Sequence, residues 1–211
     1  MKLHEVAPDH QQYHEIKTWL DSMYITHYTI RPGGVVDVVG TDIHIRKFDG
    51  TTLPIQFGLC SGSFDCSYSQ LTSLKGAPPS VGGDFICANT NLTSLRGSLQ
   101  FVGGNFNCYS TNITSLEGAP QSVGGSFECY ASKNLRSFHD IHKQIKHIGG
   151  HFFGGHTSTH LLGLLLIDGI TEIDIDGGPV DKILNKYVGT GDIISAQDEM
   201  IDAGLIDQAR L

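Results

Sequence analysis

The sequence predicts a β-rich solenoid of about six 21-residue coils with parallel strands, and three observations predict it. Cys66, Cys87, Cys108 and Cys129 stand 21 residues apart, and Phe64, Phe85, Phe106 and Phe127 keep the same interval. The text around them nearly repeats itself, as LTSLKGAPPSVGGDFIC, LTSLRGSLQFVGGNFNC and ITSLEGAPQSVGGSFEC. The apolar positions of each unit suit one short strand followed by a return segment. A period of about 20–29 residues with such spacing marks a stack in which each unit buries its apolar side against its neighbours.

Each element has its reason. Phe-x-Cys alternation puts both side chains on one face of a strand, and that face must point inward. The Leu-x-x-Leu pairs Leu71/Leu74, Leu92/Leu95 and Ile113/Leu116 pack the far side of the core. GAP and the Gly-Gly pairs make the corners, because glycine adopts φ values that other residues resist and proline fixes φ. VVGTDIHI matches SVGGDFIC at an offset of two periods, so coils begin at Val39, Cys60, Val81, Val102, Val123 and Ile148. The last interval is 25 residues, which implies a bulged return loop before IGGHF.

A solenoid needs its open core closed at both ends. Residues 1–38 read as the first cap. It holds an amphipathic helix from Asp9 to Met23, with Tyr13, Ile16, Trp19, Leu20 and Met23 on one stripe. A hairpin turning at RPGG follows. Residues 39–160 form the repeat. Residues 161–211 form the second cap, with a buried layer at LLGLLLIDGITEIDI and short helices near 179–188 and 193–203. Asp192 is the expected N-cap of the last helix and Gly204 its C′ residue.

Composition narrows the function. With 39% apolar and 17% charged residues, the chain can build a core. A net charge of −8 without clustered Lys or Arg argues against direct nucleic-acid binding and leaves an acidic nucleic-acid mimic as one alternative. The first 20 residues lack a signal-peptide apolar region, and no run approaches a membrane span, so no membrane partner is expected. Five cysteines resemble a disulfide framework, but four share one position in successive coils. They are expected to be a column of buried thiols in a reducing cytoplasm, with Cys60 in the position of Val81.

Aligned on its strands, the repeat reads FxCxxTxLxxL and resembles the LxLxxNxLxxL pattern of leucine-rich repeats. Ser69, Thr90, Thr111 and Ser132 stand where that family has an Asn that bonds to the loop backbone. The wording is similar to the short bacterial LTSLPxLP repeats of secreted ubiquitin-ligase effectors, whose ligase part has no counterpart in this chain. It resembles more closely the LTSLEGAP/VGGDF leucine-rich-repeat-like proteins of tailed bacteriophages. That resemblance extends to YTIRPGGVVDVVG and to HLLGLLLIDGI, VDKILNKY and IISAQDEMIDAGL, and so covers roughly residues 24–211. It implies a leucine-rich-repeat-like stack with no enzymatic activity, present in the cytoplasm of the infected bacterial host. It fits a role in blocking host defence.

Two regions are candidates for binding. Side chains alternating with Phe and Cys point outward and vary from coil to coil, as fits a surface adapted to a partner. Asp65, Asp84, Ile86, Asn107, Tyr109, Glu128 and Tyr130 are the expected contacts for a host or phage protein, with Tyr109 and Tyr130 stacked on adjacent coils. The second candidate is the His-rich segment 139–160, where His147, His151, His156 and His160 would hold a small ligand or nucleotide or support metal-dependent hydrolysis. It lacks HExxH, paired CxxC and any Ser-His-Asp arrangement, so no catalytic residue, metal ligand or cofactor is assigned. The Gly-Gly pairs recur with the coil and lack a phosphate-loop motif, so they read as corners.

Overall fold

The computed structural model describes residues 9–97, 99–155, 159–175 and 177–211. The chain opens with α1 (His10–Ser22), whose N-cap Asp9 carboxylate accepts the Gln12 N–H. Ile16 and Leu20 are buried, and Trp19 sets its ring edge-on to Phe48 and Phe57, so the helix closes the first coil. Tyr13 departs from the expected stripe. It is 47% exposed, because the covered surface begins only a turn later at Ile16.

The antiparallel strands β1 (Tyr28–Ile30) and β2 (Val35–Val38) form the expected hairpin, turning through Pro32–Gly34. After β3 (Ile43–His44), every coil contributes two short strands. These are β4 (Gln56–Cys60) and β5 (Phe64–Asp65), β6 (Ser80–Val81) and β7 (Phe85–Ile86), then β8 (Phe101–Val102) and β9 (Phe106–Asn107). They continue as β10 (Ser122–Val123) and β11 (Phe127–Glu128), then β12 (His147–Ile148) and β13 (His151–Phe153). The four-residue helix α2 (Ile141–Gln144) absorbs the longer return before β12. β14 (Glu172–Asp174), α3 (Pro179–Tyr187) and α4 (Ile193–Asp202) complete the chain.

The result is a parallel β-solenoid with two seven-stranded sheets. One runs β1-β2-β4-β6-β8-β10-β12 and the other β3-β5-β7-β9-β11-β13-β14, with every pair parallel except β1 and β2. Each coil thus carries two strands, where the sequence suggested one, and from β6 onward a Gly-Gly pair lies between them. The first sheet also shifts register. Val38, not Val39, pairs with Cys60 and is buried, while Val39 is 59% exposed. Gly58 and Leu59 together oppose Asp37, a β-bulge in which the Asp37 carboxylate accepts the Leu59 N–H at 2.7 Å.

The core lies between the sheets and the return segments. Phe64, Phe85, Phe106, Phe127 and Phe152 form a column with ring centroids 4.9–5.7 Å apart, closed edge-on by Phe57 at one end and Phe138 at the other. Each such contact adds about 0.5–1.5 kcal/mol beyond area burial. Cys66, Cys87, Cys108 and Cys129 run beside the rings, fully buried and unbridged, and the Leu-x-x-Leu pairs fill the opposite side.

The Gly-Gly corners work by close approach, not by unusual φ. A Cβ built on Gly82, Gly103, Gly124 or Gly149 collides with the carbonyl oxygen of Ser61, Gly82, Gly103 or Gly124, one coil earlier. None of the four has positive φ, whereas Gly76 and Gly118 of the GAP-type corners do, at 91° and 87°. At the far end, the Asn185 side chain accepts the Ile173 N–H and donates to its carbonyl, as a further strand would. Asp192 caps α4 by accepting the Ser195 N–H, and Gly204 follows the helix at φ 78°, both as expected. No helix among the described residues is long and apolar enough to cross a membrane.

Candidate functional site

The outward face of the second sheet is built by the same register that builds the core. Pairing of Phe64, Phe85, Phe106, Phe127 and Phe152 fixes His44, Asp65, Ile86, Asn107, Glu128, Phe153 and Asp174 as one outward column. Within it, the Asn107 side-chain amide donates to Glu128 at 2.7 Å. Partial burial and the nearby Asp84 charge push the Glu128 carboxyl above its usual pKa.

Tyr109 and Tyr130 come together as expected. Their rings stack with centroids 5.0 Å apart and planes within 2°. Asn89 donates to the Tyr109 hydroxyl at 2.8 Å. Tyr68, reached through a left-handed residue conformation at φ 59°, has its pKa raised by the nearby Tyr109 hydroxyl, and Arg46 lies over the Tyr68 ring. The face therefore carries an aromatic ridge of Tyr68, Tyr109 and Tyr130, with Tyr68 and Tyr130 48% and 39% exposed. Sequence reasoning missed Tyr68, because it lies one residue past the alternating positions, on the turn. Its signal is the column Lys47, Tyr68, Asn89, Ser110 and Ala131, all at φ 54–59°.

Two of the expected contacts also hold the fold. Asp65 is buried, with one carboxylate oxygen accepting from the Ser67 N–H and hydroxyl and the other 3.4 Å from Arg46 Nε. Asp84 belongs to a corner ladder. Asp42 accepts the Ser63 N–H, Ser63 that of Asp84, Asp84 that of Asn105, Asn105 that of Ser126 and Ser126 that of His151, at 2.7–3.1 Å. Small acceptors recur there because each coil leaves one corner N–H for the coil before it. The hydroxyls at the Asn-like position act similarly, Ser69, Thr90 and Thr111 donating to the carbonyls of Cys66, Cys87 and Cys108.

The described histidines of the 139–160 segment fall into separate groups. His147 lies 3.5 Å from Asp168, and His151 lies 3.4 Å from Glu172 across the Gly-Gly corner. His160 hydrogen-bonds Ser137 and Thr159 and packs its ring on His139, 5.0 Å away. His142 sits in α2 against Gly163 with its Nδ1 buried and unpartnered, and burial lowers its pKa. His156 lies outside the described residues. Among the described residues no group of three or more His, Cys, Asp or Glu is placed to hold a metal ion.

A cleft of about 570 Å³ opens where the strand columns of this face meet the second cap. Glu128, Tyr130, Phe153, Asp174 and Ile175 line it. Asp174 was not among the expected contacts, since its strand lies beyond the recognisable repeat. No protein-family model, curated protein or solved structure matches the chain. Residue chemistry and the wording of the repeat therefore carry the functional reading.

Proposed function

We propose that this protein is a non-enzymatic, phage-encoded binding solenoid. It engages a host or phage protein through the outward face of its Phe-x-Cys strands, in the cytoplasm of the infected bacterium, and so inhibits a host defence factor. The observation that carries the reading is the Tyr109/Tyr130 stack, which stands half-open to solvent beside the Asn107–Glu128 pair. Exposed aromatic rings held rigidly next to polar groups suit an interface anchor, because little side-chain entropy remains to be lost on binding. The resemblance of the repeat to tailed-phage proteins supports the cellular setting, and the net charge of −8 favours a partner with a basic surface.

The test uses the full chain as bait in lysate from infected cells, followed by affinity measurement with each purified partner. Tyr109→Ala/Tyr130→Ala should weaken binding about thirtyfold or more while the melting temperature hardly moves. Unchanged affinity in the folded double variant would remove the strand face from consideration.

A further inference from the structure

The tyrosine column stops one coil short of the cap. β11 and β13 pair Phe127 with Phe152 and Glu128 with Phe153. Carried on by two residues, that register sets Gly154 beside Cys129 and Gly155 beside Tyr130. Gly154 lacks the inward thiol, and a Cβ built there meets Ile175 of the next layer at 2.6 Å. Gly155 lacks the outward ring, and a Cβ built there meets no described residue within 4 Å. One face of Tyr130 is covered by Tyr109, and the other looks into the cleft of about 570 Å³.

The column of rings ends at this opening. Strand neighbours stand about 4.8 Å apart, so the place left in the column admits a planar group lying flat on Tyr130. Its other walls are charged. Glu128 and Asp174 both line the cleft, flanking Phe153 in the outward column, and neither is in an ion pair among the described residues. An aromatic face beside two unpaired carboxylates favours a cation. The open face of Tyr130 favours a flat one, and the guanidinium group combines stacking with forked hydrogen bonds to carboxylates.

We propose that the slot over Tyr130, walled by Glu128, Phe153 and Asp174, receives an arginine side chain of the partner protein. The proposal deepens the strand-face reading. It rests on that reading for its biological meaning but not for the binding event itself. The raised pKa of Glu128 agrees with it, since a guanidinium would supply the counter-charge that the free protein lacks.

The probe is N-acetyl-arginine amide, titrated into the full chain carrying labelled tyrosine and phenylalanine rings and followed by NMR. Tyr130 and Phe153 should shift saturably in the millimolar range. N-acetyl-citrulline amide, flat but neutral, and N-acetyl-phenylalanine amide should bind about tenfold more weakly or not at all. Gly155→Phe, which places a ring in the slot, should abolish the arginine shifts. Glu128→Gln/Asp174→Asn should weaken them about tenfold or more without filling the slot, so the test survives if Gly155→Phe does not fold. Equal binding of the neutral probes would make the slot a general stacking site and overturn the proposal, as would arginine shifts indifferent to the charge variant. Failure of the probe alongside tyrosine-dependent partner binding would remove the slot and leave the strand-face reading standing. The opposite pattern would do the reverse.

Discussion

The ring of Tyr109 lies flat on that of Tyr130, with centroids 5.0 Å apart and planes within 2°. Two side chains 21 residues apart meet this way only if their coils are in strict register, since each ring takes its orientation from its own strand. The same register stacks Phe85, Phe106 and Phe127 inside the sheet. One geometric fact therefore ties the core to the candidate interface, and the two can be separated by substitution.

Phe106→Ala should destabilise the protein by about 3–5 kcal/mol, measured by denaturant unfolding. Phe106 is fully buried between Phe85 and Phe127, so its removal leaves a void flanked by two rings that the parallel strands hold in place. A loss below about 1 kcal/mol would mean that the column can collapse, against the rigidity its register implies.

The five thiols should be unreactive in the folded protein. Burial pushes Cys60 up to about 11 and the four thiols of the inner column further still, so almost no thiolate exists near neutral pH. Iodoacetamide at pH 8 should label none of them until denaturant is added, and then all five, counted by mass spectrometry. Labelling of Cys66 or Cys87 in the native state would show that the coils open locally.

Much of this fold was legible in the sequence, for a physical reason. Each coil repeats one solution to the same packing problem, so the inward phase of Phe64 to Phe127 could be read by alignment, while the first helix and the turn at RPGG showed in their own helical and hairpin patterns. The second strand of each coil could not, because Ser80–Val81 and its equivalents bring one recurrent inward residue, Val81, Val102 or Val123, where Phe-x-Cys brings an alternating two. Val39 was aligned with Val81 by the period, but the bulge at Gly58–Leu59 hands the buried position to Val38. The capping roles of Asp84 and Asp65 were not legible, because outward phase does not reveal whether a carboxylate caps the neighbouring backbone. The slot over Tyr130 depends on Gly155, which comes into register only once the 25-residue coil is laid on its neighbour.

Gly103→Ala should cost about 1–3 kcal/mol by overpacking, because its Cβ would collide with the Gly82 carbonyl and rigid coils leave little room to yield. Gly155→Ala, with no described residue within 4 Å of its Cβ, should stay within about 0.5 kcal/mol of the parent. Chemical denaturation of both variants checks the contrast. Similar losses would imply that the Gly-Gly corners are required for flexibility and not for the approach of successive backbones.

Glu128→Gln should stabilise the protein increasingly as pH rises from about 4 to 7, within the range where carboxylates titrate. The folded carboxyl has its pKa raised, first by burial and then by the Asp84 charge, so the folded state holds that proton more tightly than the unfolded chain does. The stability tied to this proton is complete below the unfolded pKa and is lost as pH rises through the folded one. Glutamine stays neutral throughout and keeps an oxygen to accept from Asn107, so it escapes the loss while preserving the 2.7 Å contact. Melting temperatures of the two proteins should coincide near pH 4 and separate toward pH 7, with the variant higher. Added N-acetyl-arginine amide should narrow the gap at pH 7, because a guanidinium in the slot favours the ionised Glu128. A variant that melts lower at pH 7 would mean that the ionised carboxylate already has a compensating partner, and would argue against a vacant cation site beside Tyr130.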